Sequence, residues 1–138
     1  MLFPKKVKFR KWQRTRENPK KTKKATRGTK LSFGSFGLIS ENSGEIKTNQ
    51  IEAARKAMSH FVQKSGKIWI RIFANRSITA KPPEVGMGKG KGDPVGFVAR
   101  VRPGKIIFEI DGLDEKKSQE ALRKAGSKLP VKTKIISR

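Results

Sequence analysis

The chain has 138 residues, of which 34 are Lys or Arg and 11 are Asp or Glu, giving a formal net charge of +23. This length suits one domain with a modest core, and repulsion among the cations favours a polyanionic partner: nucleic acid first, an anionic membrane second. Disulfide and thiol chemistry are excluded because cysteine is absent, which suits a reducing compartment, and no apolar run approaches the roughly 20 residues of a membrane span.

Residues 1–30, which we call the arm, are a basic N-terminal extension with thirteen Lys or Arg and one acid. This charge density predicts that the arm is largely disordered when it is alone in water. Aromatic rings lie between its cations, and such rings can stack on RNA bases while the cations contact phosphates. A solubilising or targeting tail is the alternative, although such tails seldom contain Trp and Phe. The candidate RNA-binding residues of the arm are Lys5, Lys6, Lys8, Phe9, Arg10, Lys11, Trp12 and Arg14.

Residues 31–40 have the composition of a strand that is interrupted by Gly34 and Gly37. A glycine inside a strand pattern indicates a bulge or a close approach of backbone. We expect Phe33 and Phe36 to pack in the core, and residues 41–44 (Glu-Asn-Ser-Gly) predict a turn.

A helix is predicted from a cap at Thr48 or Asn49 to about residue 65, with Glu52 in its first turn. Arg55 and Lys56 lie on its exposed basic side, which is either simply solvated or in contact with an RNA backbone. The helical spacing of apolar residues predicts one buried face, made of Ile51, Ala54, Met58, Phe61 and Val62.

Residues 67–73 (KIWIRIF) alternate strictly, which predicts a strand with its isoleucines facing the core. The opposite face mixes aromatic rings with cations. It is covered either by a loop or by RNA, and the sequence leaves both alternatives open.

Residues 81–94 are predicted to form a protruding basic loop, because Pro-Pro and Asp-Pro flank the run Met-Gly-Lys-Gly-Lys-Gly at 87–92. Lysine suits phosphate oxygens, and glycine lets the backbone approach a partner closely. The segment is not a nucleotide-binding loop, since it has neither the G-x-x-x-x-G-K-S/T spacing nor G-x-G-x-x-G. A plain solvated connection is the alternative.

Two strand patterns follow, at residues 97–101 and 106–110, with Pro103-Gly104 between them. Because Pro-Gly fits the centre of a tight turn, we expect these two strands to pair antiparallel. Glu109 and Asp111 are the only close carboxylate pair of the predicted sheet. A metal site or an acid–base site would need further ligands, and no histidine or cysteine lies nearby in the sequence. We therefore expect the two carboxylates to pair with surplus cations.

A second helix is predicted to begin at Asp114, with Glu115 in its first turn, and to end at Pro130. Residues 131–136 predict a last strand. The order of elements predicts an α+β fold for residues 31–138, with a mainly antiparallel sheet, two helices on one face, and the other face free for a partner. The inner face of the second helix is expected to contain Ser118, Ala121, Leu122, Ala125 and Leu129.

Six ordered blocks of the sequence form a distinctive set: MLFPKKVKFRK at 1–11, SFGSFGL at 32–38, QIEAAR at 50–55, GKIWIR at 66–71, MGKGKG at 87–92 and KLPVKT at 128–133. Together they resemble the bacterial and organellar large-subunit ribosomal protein L-sixteen family. The likeness covers almost the whole chain. Because it begins at Met1, we expect the arm to belong to the mature protein and not to a cleaved transit peptide.

The resemblance implies a structural constituent of the large ribosomal subunit that binds 23S-type ribosomal RNA beside neighbouring ribosomal proteins. It also implies contact with A-site tRNA near the peptidyl-transferase region, with the P site left open. The ribosome would be cytoplasmic, an organellar one remaining open. By position, arm contacts fall on residues 5–14. Many members have arginine where this chain has Gly86, so no role of that arginine carries over. Loop contacts fall on Met87, Lys89 and Lys91, and the remaining candidates are Lys81, Gly88, Gly90, Arg55 and Lys56.

Two other functions are compared with this one. An independent, non-specific nucleic-acid-binding protein would show comparable affinity for duplex DNA and a similar salt dependence on both polymers. An RNA-modifying enzyme is disfavoured, because the sequence has no cofactor motif, nucleophile–base set or metal cluster, and its one histidine, His60, suits a surface or packing role. We therefore expect no catalytic residue, cofactor, metal, membrane or small-molecule substrate.

Overall fold

Seven strands and two helices form the body (residues 31–138) of a computed structural model that describes residues 2–138; Met1 lies outside the described residues. A short 3-10 helix, Pro19–Lys21, lies in the arm. In chain order the body contains β1 (Phe36–Ser40), β2 (Gly44–Lys47), α1 (Thr48–Val62), β3 (Lys67–Ile70), β4 (Arg76–Ala80), β5 (Asp93–Val101), β6 (Ile106–Asp111), α2 (Glu115–Gly126) and β7 (Thr133–Ser137).

The strands form two antiparallel sheets, with strand orders β3-β6-β1-β7 and β2-β5-β4. The α1 helix packs on α2, on β3 of the first sheet and on β2 and β5 of the second, whereas α2 packs on β1, β6 and β7. Helix α1 thus joins the two sheets through one hydrophobic core. The predicted α+β class is confirmed, but the sheet is divided in two where we expected one.

The predicted inner faces of both helices are the buried ones, except that Phe61 and Leu129 are only partly buried and Leu129 lies beyond the end of α2. Helix α1 buries Ile51, Ala54, Met58 and Val62. Helix α2 has Asp114 as its N-cap and Glu115 in its first turn, as predicted, and ends at Gly126, before Pro130. The buried residues of α2 are Ser118, Ala121, Leu122 and Ala125.

The predicted ends of α1 are wrong at both termini. Its N-cap is Lys47 and not Thr48 or Asn49, and the Gln50 side chain accepts a hydrogen bond of 2.9 Å from the Lys47 backbone N–H. The helix stops before residue 65 because Gln63 has a φ of 49°, a left-handed conformation that ends helical hydrogen bonding.

The expected pairing of the two strands around Pro103-Gly104 is also wrong. The turn itself is present, since the Lys105 N–H donates to the Arg102 carbonyl at 3.1 Å. However, β5 pairs with β2 and β4, and β6 pairs with β1 and β3. A strand has only two edges for hydrogen bonding, so neither β5 nor β6 has an edge left for the other. We did not predict β2 and β4 from the sequence, and they are the strands that occupy β5.

Strand β1 begins at Phe36, so residues 31–35 are a loop and not the start of a strand. Phe36 packs against the core as expected, but Phe33 is 55% exposed and its predicted core position is wrong. Its ring stacks on that of Trp69, with 5.9 Å between ring centroids and 16° between ring planes. The Arg71 guanidinium lies 5.2 Å from the Phe33 ring centroid. This loop therefore covers the aromatic and basic face of β3.

The loop is fixed by Glu109, whose side chain is completely buried. Its carboxylate accepts hydrogen bonds from the backbone N–H groups of residues 32, 33 and 34, at 3.2, 2.7 and 2.8 Å, and pairs with Arg71. Burial acts to raise the pKa of Glu109, but the three N–H groups and the guanidinium together lower it below its ordinary value. The expected pairing of Glu109 with a cation is confirmed. Asp111 instead binds the Ser35 hydroxyl at 2.8 Å and the Gly112 N–H at 2.9 Å.

Replacement of this carboxylate tests its role. We expect Glu109→Gln to lower the free energy of unfolding at pH 7 by about 3 kcal/mol, because Arg71 loses its partner in a buried site. Since folding lowers the pKa of Glu109, its contribution is present above the ordinary value of 4.5 and is lost as the pH falls through the folded value. The stability difference between wild type and variant should therefore shrink below pH 4.5. Urea unfolding at several pH values measures both effects.

The matched control is Glu120→Gln, which removes an exposed carboxylate of α2 that has no partner among residues 2–138. We expect it to change stability by less than about 0.5 kcal/mol. Equal losses in the two variants would contradict the role given to Glu109.

Candidate nucleic-acid interface

The arm lies along the second sheet as an extended chain that is held mainly through its backbone carbonyls. The Ser77 hydroxyl donates to the Arg10 carbonyl at 2.9 Å, and the Arg76 guanidinium donates to the Gln13 carbonyl at 2.5 Å. Both donors belong to β4. Because the body binds carbonyl groups of the arm, most of the cationic side chains of the arm remain available to a partner.

Further attachments follow along the arm. The Arg100 guanidinium of β5 donates to the Thr15 hydroxyl at 3.0 Å and to the Thr15 carbonyl at 2.9 Å. The Ala25 N–H donates to the Pro103 carbonyl, and the Gly28 carbonyl accepts from the Ile106 N–H, both at 2.9 Å. The C-terminal end of the arm therefore reaches the first sheet.

All eight candidate residues of the arm are exposed. Phe9 and Trp12 are 52% and 42% exposed, and their rings meet edge to face with 5.4 Å between centroids. The Lys8 ammonium lies 5.5 Å from the Phe9 ring centroid, and the Arg76 guanidinium lies 5.2 Å from that of Trp12. Exposed rings thus stand among cations, an arrangement that suits stacking on bases and contact with phosphates.

The glycine–lysine loop connects β4 to β5, which pair from Ala80 opposite Asp93. Met87 is 100% exposed, and Lys89 and Lys91 are exposed as well. Gly88, Lys89 and Gly90 have φ angles of 94°, 57° and 97°. A Cβ atom at either glycine would meet no other atom within 4 Å. The conformation of the backbone, and not lack of space, therefore requires glycine at these two positions.

The arm and the loop meet, although about 80 residues separate their contacting positions. The Lys91 ammonium donates to the Trp12 carbonyl, and the Lys11 ammonium donates to the Lys91 carbonyl at 3.3 Å. Lys11 also lies 3.9 Å from the carboxylate of Asp93. At the tip, the Lys81 ammonium donates to the Gly88 carbonyl. Arm residues 5–14 and loop residues 81–91 therefore form one continuous exposed surface, which we call the basic surface.

Arg55 and Lys56 stand apart from this arrangement. Arg55 binds Glu52 through two hydrogen bonds of 3.0 and 2.5 Å, and this bond raises the pKa of Arg55. Lys56 is exposed. Within residues 2–138, no hydrogen bond or ion pair links either side chain to the arm or the loop.

A cavity of about 1220 Å³ lies between the arm and the body, and we call it the arm cavity. We named only one of its cations, Arg14, from the sequence. The alternation Ala-Arg-Val-Arg at 99–102 was a usable signal, because it places Arg100 on the face of β5 opposite its apolar residues and Arg102 just after the strand. The lining includes two acids, Glu17 and Glu45, and seven cations: Arg14, Arg16, Arg27, Arg76, Arg100, Arg102 and Lys105.

None of the helices within residues 2–138 combines the length and the apolar character that a membrane crossing requires. Across this part of the chain, no group of three or more His, Cys, Asp or Glu is placed to hold a metal ion.

The chain is similar to a known protein family over most of its length. The model of the family described as ribosomal protein L16p/L10e matches residues 4–136, which include most of the arm and all of the loop. The chain belongs to this family. Membership makes it a structural protein of the large ribosomal subunit that is located in the ribosome and associates with ribosomal RNA and other ribosomal proteins. The resemblance found in the six sequence blocks is confirmed.

Amide exchange can test how the arm is attached. Among residues 2–24, only the backbone N–H groups of Lys20 and Lys21 donate within the structure. We therefore expect the other amides of this stretch to exchange at rates close to those of an unfolded chain in the free protein, and slowly in the assembled particle. Hydrogen exchange read by NMR or mass spectrometry measures this.

Ala25 provides the internal control, because its N–H is bound to Pro103 and should be protected in both states. Equal protection of residues 5–17 in the free and assembled protein would contradict the prediction. The expected disorder of the arm in water is tested by the same measurement.

Proposed function

We propose that the basic surface binds large-subunit ribosomal RNA and that its loop contacts tRNA in the A site, near the peptidyl-transferase region. The observation that carries this proposal is the contact of Lys91 with Trp12 and of Lys11 with Lys91. These contacts unite the arm, which has six exposed cations between residues 5 and 14, with the loop that exposes Lys89 and Lys91. RNA performs the chemistry of peptide transfer, and the protein holds RNA in place.

Electrostatics supplies the main driving force. Lys5, Lys6, Lys8 and Lys89 are exposed, and their ammonium groups make no ion pair within residues 2–138. Neutralising phosphates with such groups releases condensed counterions. The slope of log K against log salt concentration therefore becomes steeper by about 0.7–0.9 for each phosphate contacted. Phe9 and Trp12 add stacking surface, which favours unpaired bases in RNA over a regular duplex.

The loop is suited to a partner that binds transiently. Gly88 and Gly90 have open space around them, so tRNA can approach the backbone closely on either side of Lys89. Met87 presents an unbranched, polarisable side chain that adapts to changing surfaces. Contact with A-site tRNA rests on these features together with the family resemblance, and contact with P-site tRNA is an extension of the same proposal.

Substitution of the loop lysines tests the tRNA contact. We expect Lys89→Ala with Lys91→Ala to leave the fold intact, since both side chains are exposed, and to weaken A-site tRNA binding about tenfold or more through the loss of two phosphate contacts. The measurement is A-site tRNA affinity on ribosomes that carry the variant. The single variant Lys89→Ala separates loss of tRNA contact from loosening of the arm, because only Lys91 also holds the arm.

The control variant is Lys116→Ala with Lys124→Ala, which removes two exposed charges from α2. Unchanged A-site affinity in the loop variant, or an equal loss in the control, would contradict the tRNA contact.

The alternative of a non-specific nucleic-acid-binding protein is tested with the free chain. We expect affinity for large-subunit ribosomal RNA to exceed that for duplex DNA of equal length by at least about tenfold at 0.15 M salt, because exposed rings need unpaired bases. Equal affinities and equal salt slopes on the two polymers would favour the alternative. Sedimentation of the tagged protein with the large subunit at low and high salt is the corresponding experiment in cells.

A further inference from the structure

The arm cavity contains arginine side chains for which the protein provides no partner. Glu45 binds Arg14 at 3.0 Å and Arg100 at 3.3 Å, so its charge is already engaged. By contrast, the guanidinium groups of Arg16, Arg27 and Arg102 make no hydrogen bond or ion pair with any residue in 2–138. Seven cations against two acids leave the lining with an excess of five positive charges.

A buried hydroxyl group in the same cavity also lacks a partner. Ser43, in the turn before β2, lines the cavity, and its Oγ atom is inaccessible to solvent and makes no hydrogen bond. Leaving a buried polar group unsatisfied costs free energy, and such groups in native structures call for an explanation such as a bound ligand. Because this oxygen is inaccessible as it stands, an acceptor in the cavity would satisfy it only after the side chain turned about its Cα–Cβ bond toward the cavity.

We propose that the arm cavity binds phosphodiester groups of a ribosomal RNA strand, so that RNA lies between the arm and the body as well as on the basic surface. The Arg16, Arg27 and Arg102 guanidinium groups neutralise the phosphates, and the Ser43 hydroxyl turns toward the cavity and donates to one of their oxygens. Arginine suits this role because its planar fork binds phosphate through two hydrogen bonds. This inference rests on the proposed binding of ribosomal RNA.

The size of the cavity favours a strand over a small molecule. Its volume of about 1220 Å³ exceeds the range of about 300–1,000 Å³ that is typical of pockets for single small ligands. Arg16 and Arg27 belong to the arm and Arg102 to the body, so a bound strand would bridge the two. The arm then acts as a clamp on RNA, and its attachment to the sheet is completed by the RNA itself.

The first test compares two triple variants of the full chain with the same change of charge. The cavity variant is Arg16→Gln, Arg27→Gln and Arg102→Gln; the control is Lys116→Gln, Arg123→Gln and Lys124→Gln, exposed residues of α2. Affinity for purified large-subunit ribosomal RNA is measured over a range of salt concentrations. We expect the cavity variant to reduce the slope of log K against log salt by about 2, and the control by less than about 1. Equal reductions would overturn the inference.

The second test uses Ser43→Ala, which removes only the unpartnered hydroxyl. We expect the melting temperature of the free protein to rise, because a buried unsatisfied group is lost, while affinity for the RNA falls about tenfold. A purely structural serine would change both quantities in the same direction or leave affinity unchanged, and either result would overturn the inference.

The source of the phosphate is decided with inorganic tripolyphosphate as a second probe. We expect no binding of it at millimolar concentration, because RNA presents its phosphates along a strand that spans the cavity. If tripolyphosphate binds tightly and the cavity variant keeps its RNA affinity, the RNA clamp is overturned in favour of a free polyphosphate. If the wild-type protein does not bind the RNA at all, the proposed function is overturned instead. Failure of the RNA clamp and failure of the proposed function are therefore distinguishable.

Discussion

The buried carboxylate of Glu109 holds together three parts of the chain that are distant in sequence. It lies in β6, binds the backbone of residues 32–34, and pairs with Arg71 just after β3. An unpaired charge in such a site would be costly, so the fold depends on all these donors being present. The Phe33 loop and the cover over the face of β3 follow from this one arrangement.

The distribution of charge explains how so basic a chain stays compact. Two carboxylates join segments that are distant in sequence: Glu109 at the loop before β1, and Glu45 between the arm and β5. Fifteen of the 34 cations lie on the basic surface or line the arm cavity. A polyanion bound at either place would relieve part of their mutual repulsion. In this arrangement, binding RNA and stabilising the fold favour each other.

The sequence predicted the features that local periodicity determines. The buried faces of α1 and α2, the strand β6 and the Pro103-Gly104 turn all follow from spacing over a few residues. It failed where distant residues compete: β5 and β6 adjoin in sequence, yet both edges of each are taken by other strands. Strands β2 and β4 were missed because they are short and lack apolar alternation. The meeting of Lys11 with Lys91, and the cavity behind Arg16, depend on folding of the arm that no local pattern encodes.

The way in which the body grips the arm has a consequence for how this sequence can diverge. Ser77, Arg76 and Arg100 donate mainly to main-chain carbonyl oxygens, and any amino acid supplies that acceptor. Substitutions in the arm therefore leave its anchoring largely intact. In related sequences, the side chains of the arm can therefore change to suit a different ribosomal RNA while the arm keeps the same course along the sheet. The opposite holds for the three donors, whose replacement would remove these contacts from every version of the arm alike.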